Sequence, residues 1–344
     1  MRVLCDLKHP ADVHFFRPLI SALRRDGDEV LVTSRAKDET LELLDGLGMS
    51  HVCVSRMGQG LTGMGAELVE RTVRLVGLAR RFRPDVMIAR TGVCVALAGR
   101  ALRVPTVTVD DTEFAWLQVG LSTALATVVC TGMGYGRLFP GKQEHFDAPP
   151  QLAYTHPDRF TPDPDRLRAA GLAPEESYVV VRLKAWRAVH DLGTRGPAEP
   201  EAVRLVESLA RHCRVIVSAE RAIPPELSAH QNPAPVEDAL HLLALARLYV
   251  GEGSSMAAEA ACLGVPAIYL SPNSRRGYLD ALQQRFGHVR TVQNASEALR
   301  LAEAWLSDPT LRNGADRIRR DLARSCDDPV TFLRDVLRRH ARRL

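Results

Sequence analysis

Leu248-Tyr-Val-Gly-Glu-Gly-Ser-Ser-Met-Ala-Ala-Glu-Ala-Ala-Cys-Leu-Gly-Val-Pro-Ala-Ile-Tyr-Leu270 reads as a strand, a turn, a helix and a second strand. The short apolar run from Leu248 ends at Gly251, as a buried parallel strand does. Ser254 or Ser255 is expected to supply the N-cap, a small-residue helix runs to Leu263, Gly264 stops it and a strand starts at Pro266. Such a helix presents amides at Gly253, Ser254 and Ser255 at its positive end, where hydrogen bonds and the dipole together stabilise a phosphate. Glu259 stands one turn beyond Ser255 on the same face, placed to accept hydrogen bonds from ribose hydroxyls. The same residues also describe a capped helix whose alanines pack closely on a sheet and whose Glu259 is solvated.

Outward from this segment, short β-rich runs alternate with helical patterns. Before it come Arg2 to Leu7, Glu29 to Thr33, His51 to Val54, Asp85 to Ala89, Thr106 to Val109 and Ala126 to Cys130. Around it lie Tyr178 to Leu183, Arg214 to Ser218, Ala267 to Leu270 and Val289 to Val292. Amphipathic stripes such as Phe15, Leu19, Ile20 and Leu23, or Leu68, Val69, Val73, Val76 and Leu78, mark helices between strands. Alternation of this kind predicts βαβ units, parallel sheets and right-handed crossovers.

The 344 residues exceed what one core usually serves, so two domains are expected. The Pro-rich, polar stretch from Lys142 to Pro164 is the natural boundary. The reading is an α/β, two-domain architecture: residues 1–150, a linker at 151–175, a second Rossmann-like domain at 176–325 and a basic C-terminal helix at 326–344. One large doubly wound sheet is the alternative.

Composition excludes several classes. With 46% hydrophobic and 25% charged residues, domain-scale disorder is not expected. The seven cysteines form no C-x-x-C pair, so neither zinc nor a disulfide framework is indicated. The N-terminus enters a strand directly, without a basic head and apolar signal core, and no run approaches a membrane span; a cytoplasmic protein is expected. The +4 formal charge is concentrated in the last stretch, where Arg334, Arg338, Arg339 and Arg342 interleave with Leu333, Val336 and Leu337. That is an amphipathic helix; peripheral contact with an anionic membrane is a further possibility, and no nucleic-acid partner is expected.

Other segments carry candidate chemistry. Arg182 and Lys184, at the end of Val179-Val-Val-Arg-Leu-Lys184, alternate to one face of an extended chain and can neutralise a diphosphate. His9 and His14 open the helix after the first strand, where parallel sheets present ligand loops; each is a candidate general base or oxyanion partner, or a structural histidine. Asp110-Asp-Thr-Glu113 follows a strand and offers Asp111 and Glu113 as acid/base residues, or merely a helix cap. Gly58-Gln-Gly60-Leu-Thr-Gly63 matches G-x-G-x-x-G but follows the third strand without an acid ending the next; it is read as a cleft loop, and less well as a dinucleotide site.

The segment Gly251 to Glu259 resembles the donor-nucleotide motif of GT-B proteins, among them the N-acetylglucosaminyltransferase of peptidoglycan synthesis and the non-hydrolysing UDP-N-acetylglucosamine 2-epimerases. With Asp6 to Pro18, Asp110 to Glu113, Leu152 to Pro157 and Val181 to Trp186, it makes the whole chain similar to an archaeal and bacterial domain-of-unknown-function family related to both. The resemblance implies a GT-B-like fold with two Rossmann-like domains facing across a cleft. It implies that the serines or glycines at Gly253, Ser254 and Ser255 meet a diphosphate, that Glu259 holds the ribose, that Arg182 is a phosphate ligand and that His190 lines the cleft. Acids after the comparable strand move a proton at C2 in the epimerases, which gives Asp111 and Glu113 their implied role. The leading expectation is a GT-B-type glycosyltransferase using a nucleoside diphosphate sugar, UDP-linked, and an acceptor the sequence does not name. A nucleotide-sugar 2-epimerase is the runner-up and a non-catalytic nucleotide-binding protein the third reading. No cofactor is expected beyond the nucleotide sugar as substrate, and no metal is demanded, because the helix dipole and cations can offset the diphosphate charge.

Overall fold

The computed structural model describes residues 1–111, 116–173, 175–184, 199–219, 222–271 and 277–342. The chain forms two compact units, Met1–Tyr154 with Asp327–Leu344, and Thr155–Cys326. The first unit runs β1 (Arg2–Leu7), α1 (Pro10–Arg25), β2 (Glu29–Ala36), α2 (Thr40–Gly46), β3 (Val52–Arg56), α3 (Gly60–Phe82), β4 (Val86–Arg90), α4 (Val93–Leu102), β5 (Thr106–Asp110), α5 (Trp116–Leu125), β6 (Val128–Thr131) and β7 (Gln143–His145), then α6 (Leu152–Thr155). Its sheet has the order β3-β2-β1-β4-β5-β6-β7, with every pairing parallel. Strands such as Val86 to Ala89 are buried on both faces, which is why they read as continuous apolar runs.

The second unit continues with α7 (Pro164–Ala169), β8 (Tyr178–Leu183), α8 (Glu199–Ala210), β9 (Arg214–Ala219), α9 (Ala239–Leu245), β10 (Leu248–Gly251), α10 (Ser254–Cys262), β11 (Ala267–Leu270), α11 (Gly277–Phe286), β12 (Val289–Val292), α12 (Ala295–Leu306) and α13 (Ala315–Ser325). Its sheet order is β12-β11-β10-β8-β9, again parallel throughout. The alternate residues Val179, Val181, Val215, Val217, Leu248 and Val250 join Leu205, Val206, Ala298 and Ala302 of α8 and α12 in one core. The intervening residues, among them Arg182 and Gly251, therefore belong to the opposite face.

Several expectations need correction. The linker at 151–175 is not a free connector: the division falls between Tyr154 and Thr155, and α7 packs on α9 inside the second unit. The C-terminal stretch is the amphipathic helix expected, but it belongs to the first unit and does not stand as a segment of its own. α14 (Pro329–His340) returns to the first unit and packs on α1, burying Val330, Leu333, Val336 and Leu337. Its basic residues are engaged there: Arg338 Nη2 donates to Asp26 at 2.6 Å, Arg339 pairs with Glu144, and His340 Nε2 lies 2.7 Å from the same carboxylate. The Gly58–Gly63 stretch is not a cleft loop, because α3 already begins at Gly60. Nor does α3 bury Val69 and Val73, which are both 64% exposed. It turns Glu67, Arg71, Leu75 and Ala79 inward, since the two charged residues find internal partners in Arg35 and Asp6. Among the described residues no helix is long and apolar enough to cross a membrane.

Candidate functional site

The second unit's sheet has one topological switch point, between β8 and β10, where consecutive connections leave in opposite directions. Doubly wound sheets bind ligands outside the carboxyl ends of strands at that point. The register aligns Ser218 of β9, Arg182 of β8 and Gly251 of β10 in one row across those ends. Arg182 Nη1 donates to Ser218 Oγ at 2.6 Å, so the guanidinium is held along the strand ends. The β8 backbone at Arg182 requires the first glycine of the turn, and Tyr249 and Arg182 crowd the second. A Cβ on Gly251 would come within 2.8 Å of the Arg182 backbone nitrogen, and one on Gly253 within 3.3 Å of the Arg182 Cγ.

α10 starts beside this row. Its N-cap is Gly253, at φ −86° and ψ 103°, not Ser254 or Ser255 as the sequence suggested. The serines instead occupy the first helical turn. The physical reason is the tyrosine beneath: Tyr249 Oη donates to the Gly253 carbonyl at 3.0 Å and fixes the cap without a capping side chain. The first intrahelical bond runs from Ala257 N to Gly253 O at 2.9 Å, so the amides of Ser254, Ser255 and Met256 have no partner within the helix. Buried Glu252 holds the neighbouring segment, accepting from the Lys184 amide at 2.8 Å while its own amide donates to Arg182 O at 3.0 Å. Lys184 thus contributes its backbone to the turn just past β8. Glu259 is buried, not solvated, and its charge adds to the burial that raises the Tyr249 phenol well above its ordinary pKa. Arg182, Lys184, Gly253, Ser254, Ser255 and Glu259 are all brought to one end of one sheet.

In the first unit the switch point lies between β1 and β4. Lys8 Nζ bridges it by donating to Thr91 O at 2.9 Å. His9 is the N-cap of α1, its Nδ1 accepting from Ala11 N at 3.1 Å, which gives it a structural task. His14 stacks on Tyr154 with ring centroids 5.5 Å apart. Its Nδ1 is buried without a hydrogen-bond partner, and burial together with Arg17 lowers its pKa to about 4. Asp111 is in an ion pair with Arg90, which also lies 3.7 Å from Asp12. Asp110 is fully buried and accepts from Tyr135 Oη at 2.9 Å and Thr91 Oγ1 at 3.2 Å. Gly58 and Gly60 open α3. The Gly58 amide donates to Glu67 at 2.9 Å, a Cβ at Gly58 would lie 2.2 Å from the Gly63 carbonyl oxygen, and Gly60 has φ +66°. These glycines serve a tight strand-to-helix turn.

Glu113 and His190 lie outside the described residues. Sequence reasoning passed over Ser218, Tyr249, Glu252 and Arg90. The signals were present but weak: a serine closing an apolar strand, a tyrosine inside one, an acid between two turn glycines, and an arginine at a strand end.

Two parallel sheets, each with its switch point, make this a GT-B-like protein with two Rossmann-type domains. Residues 1–133 match the family described as Protein of unknown function (DUF354). A Methanocaldococcus jannaschii protein described as uncharacterized is 24% identical over 288 residues, covering 80% of this chain and 83% of its own. Among solved structures, the UDP-GlcNAc 2-epimerase of Neisseria meningitidis bound to UDP-GlcNAc superposes with a TM-score of 0.71 at 12% identity, covering 98% of this chain and all of its own. The UDP-GlcNAc 2-epimerase of M. jannaschii gives 0.66 at 14% identity over 94% of this chain and 100% of that one. The spinosyn forosaminyltransferase SpnP gives 0.65 at 20% identity over 98% and 99%.

Proposed function

We propose that the protein is a glycosyltransferase that binds a UDP-linked sugar at the β8/β10 switch point and transfers the sugar to an acceptor hydroxyl. The observation that carries this reading is that Arg182, at the end of β8, and the N-terminus of α10, where the Ser254 and Ser255 amides have no partner within the helix, lie side by side at the carboxyl ends of two adjacent strands. The ligand of the N. meningitidis epimerase structure, UDP-GlcNAc, supports a nucleotide sugar as the class of ligand. The acceptor oxygen attacks the anomeric carbon and its proton passes to a base. The electron pair of the breaking C1–O bond moves onto the diphosphate. Arg182 and the amides stabilise that developing charge where it forms, so catalysis is positioning plus electrostatics. Glu259 holds the ribose. Of the bases considered, Asp111 is committed to Arg90, His9 caps α1 and His14 resists protonation, which favours Glu113 for the role.

The carboxylates after β5 favour a second reading, a 2-epimerase in which a carboxylate takes the C2 proton while the diphosphate leaves and returns. Incubation with UDP-GlcNAc in deuterated solvent separates the two. UDP released only with an added acceptor, and no deuterium at C2, is the outcome for transfer. Deuterium at C2 without acceptor makes it an epimerase, and UDP binding without turnover makes it a binding protein.

A further inference from the structure

The face of α1 carries two groups that the fold leaves without partners. His14 stacks on Tyr154 at an interplanar angle of 30°, which fixes the ring. Its Nδ1 is sealed from solvent and unbonded, and among the described residues Nε2 makes no hydrogen bond either. Arg17 follows three positions later on the same helical face. It is half-buried, and among the described residues it makes no hydrogen bond or ion pair. Its cation lies close enough to act on the imidazole. Asp12, the acid of the same helix, offers it no counter-charge, because that carboxylate accepts from the Lys8 amide and faces Arg90. Partly buried guanidinium groups are ordinarily paired, so an uncompensated one beside an unsatisfied imidazole is a site built for something from outside.

We propose that His14 and Arg17 form a receptor for an oxyanion, the phosphate or carboxylate of a small-molecule ligand, with Arg17 supplying the charge and His14 donating through Nε2 as a neutral imidazole. The tautomer follows from the buried nitrogen. A proton on Nδ1 would be a sealed N–H with no acceptor, whereas a bare Nδ1 leaves only a lone pair unsatisfied, so the proton sits on Nε2. The cationic ring needs both protons and is disfavoured for the same reason, in agreement with a pKa near 4 set by burial and Arg17. At neutral pH His14 is thus a donor and not a base. The planar guanidinium grips two oxygens of the anion in parallel, and the imidazole N–H adds a third bond. This site lies wholly in the first unit and stands whether or not a nucleotide binds the second.

The test is an NMR titration of the full chain labelled with 13C and 15N in its histidine rings, at pH 7. Inorganic phosphate is added to one sample and acetate to another. The free protein should show His14 as the Nε2–H tautomer. Its ring signals should move saturably with phosphate, acetate or both, the responding anion naming the class. Arg17→Met should weaken that response at least tenfold. Arg17→Lys, which keeps the charge and loses the fork, should weaken it less and serves if the methionine variant does not fold. Arg182→Ala should leave it unchanged, which separates this site from the nucleotide site. An Nδ1–H tautomer, ring signals unmoved by either anion, or a response indifferent to both Arg17 variants overturns the proposal.

Discussion

At the scale of single residues, the site in the second unit depends on what Gly251 lacks. Any side chain there meets the backbone of Arg182, so Gly251→Ala forces β10 away from β8 and should cost about 1–3 kcal/mol in urea unfolding. Stability unchanged from wild type would show that the strands do not approach so closely. Glycine at this position was legible in the sequence as a strand end; the reason for it was not, because Arg182 lies far away in the chain and only the register brings it opposite. The cap was misread for a related reason. Serines are the usual N-caps, but Tyr249 reaches Gly253 from the strand below and moves the cap one residue earlier. His14 gives a pH prediction. Its folded pKa of about 4 lies below the ordinary 6.5, so the unfolded chain takes up a proton that the native state refuses as pH falls from 6.5 towards 4. Its contribution is full above pH 6.5 and is lost through that window, amounting to about 3 kcal/mol at most. Urea midpoints at pH 7.5 and 4.5 should therefore differ less for His14→Gln than for wild type; equal differences would remove His14 as the cause.

At the scale of elements, α10 makes the phosphate claim separable from the fold. Ser254 is the first helical residue, where proline is accommodated, and Gly253 already has the extended backbone that precedes proline. Ser254→Pro should leave the unfolding midpoint nearly unchanged while removing one of the free amides, weakening UDP binding about tenfold, the worth of one charge-assisted hydrogen bond. Undiminished binding would place the diphosphate elsewhere. α3 shows where periodicity misleads. Its valines looked like the buried stripe, yet the helix turns Glu67 and Arg71 inward because Asp6, at 1% exposure, and Arg71, at 3%, pair at 2.6 Å against the sheet. A pattern of apolar residues cannot reveal that a charge has a buried partner on another strand. Asp6→Asn strips this partner and should destabilise the chain by about 3–5 kcal/mol in denaturant unfolding.

At the scale of the molecule, the strands were legible except β7, because parallel strands covered on both faces are written as continuous apolar runs, whereas β7 is a short polar strand at the sheet's edge inside the stretch read as a boundary. What the chain did not announce was which unit its last helix joins, since an amphipathic stripe says that a helix packs and not on what. Val330, Leu333, Val336 and Leu337 pack it into the first unit, and Arg338 and Arg339 on its polar side are paired to Asp26 and Glu144. The candidate site was legible where it is local, from Gly251 to Glu259. It was hidden where it is assembled from separate strands, as with Ser218 and Arg182. The central claim, a nucleoside diphosphate held at the β8/β10 switch point, is tested most directly by calorimetric titration of UDP into the full chain and into Arg182→Ala. Saturable one-to-one binding, weakened at least tenfold by the substitution, is the predicted result. No heat with UDP, dTDP or GDP, or binding indifferent to Arg182, would contradict it.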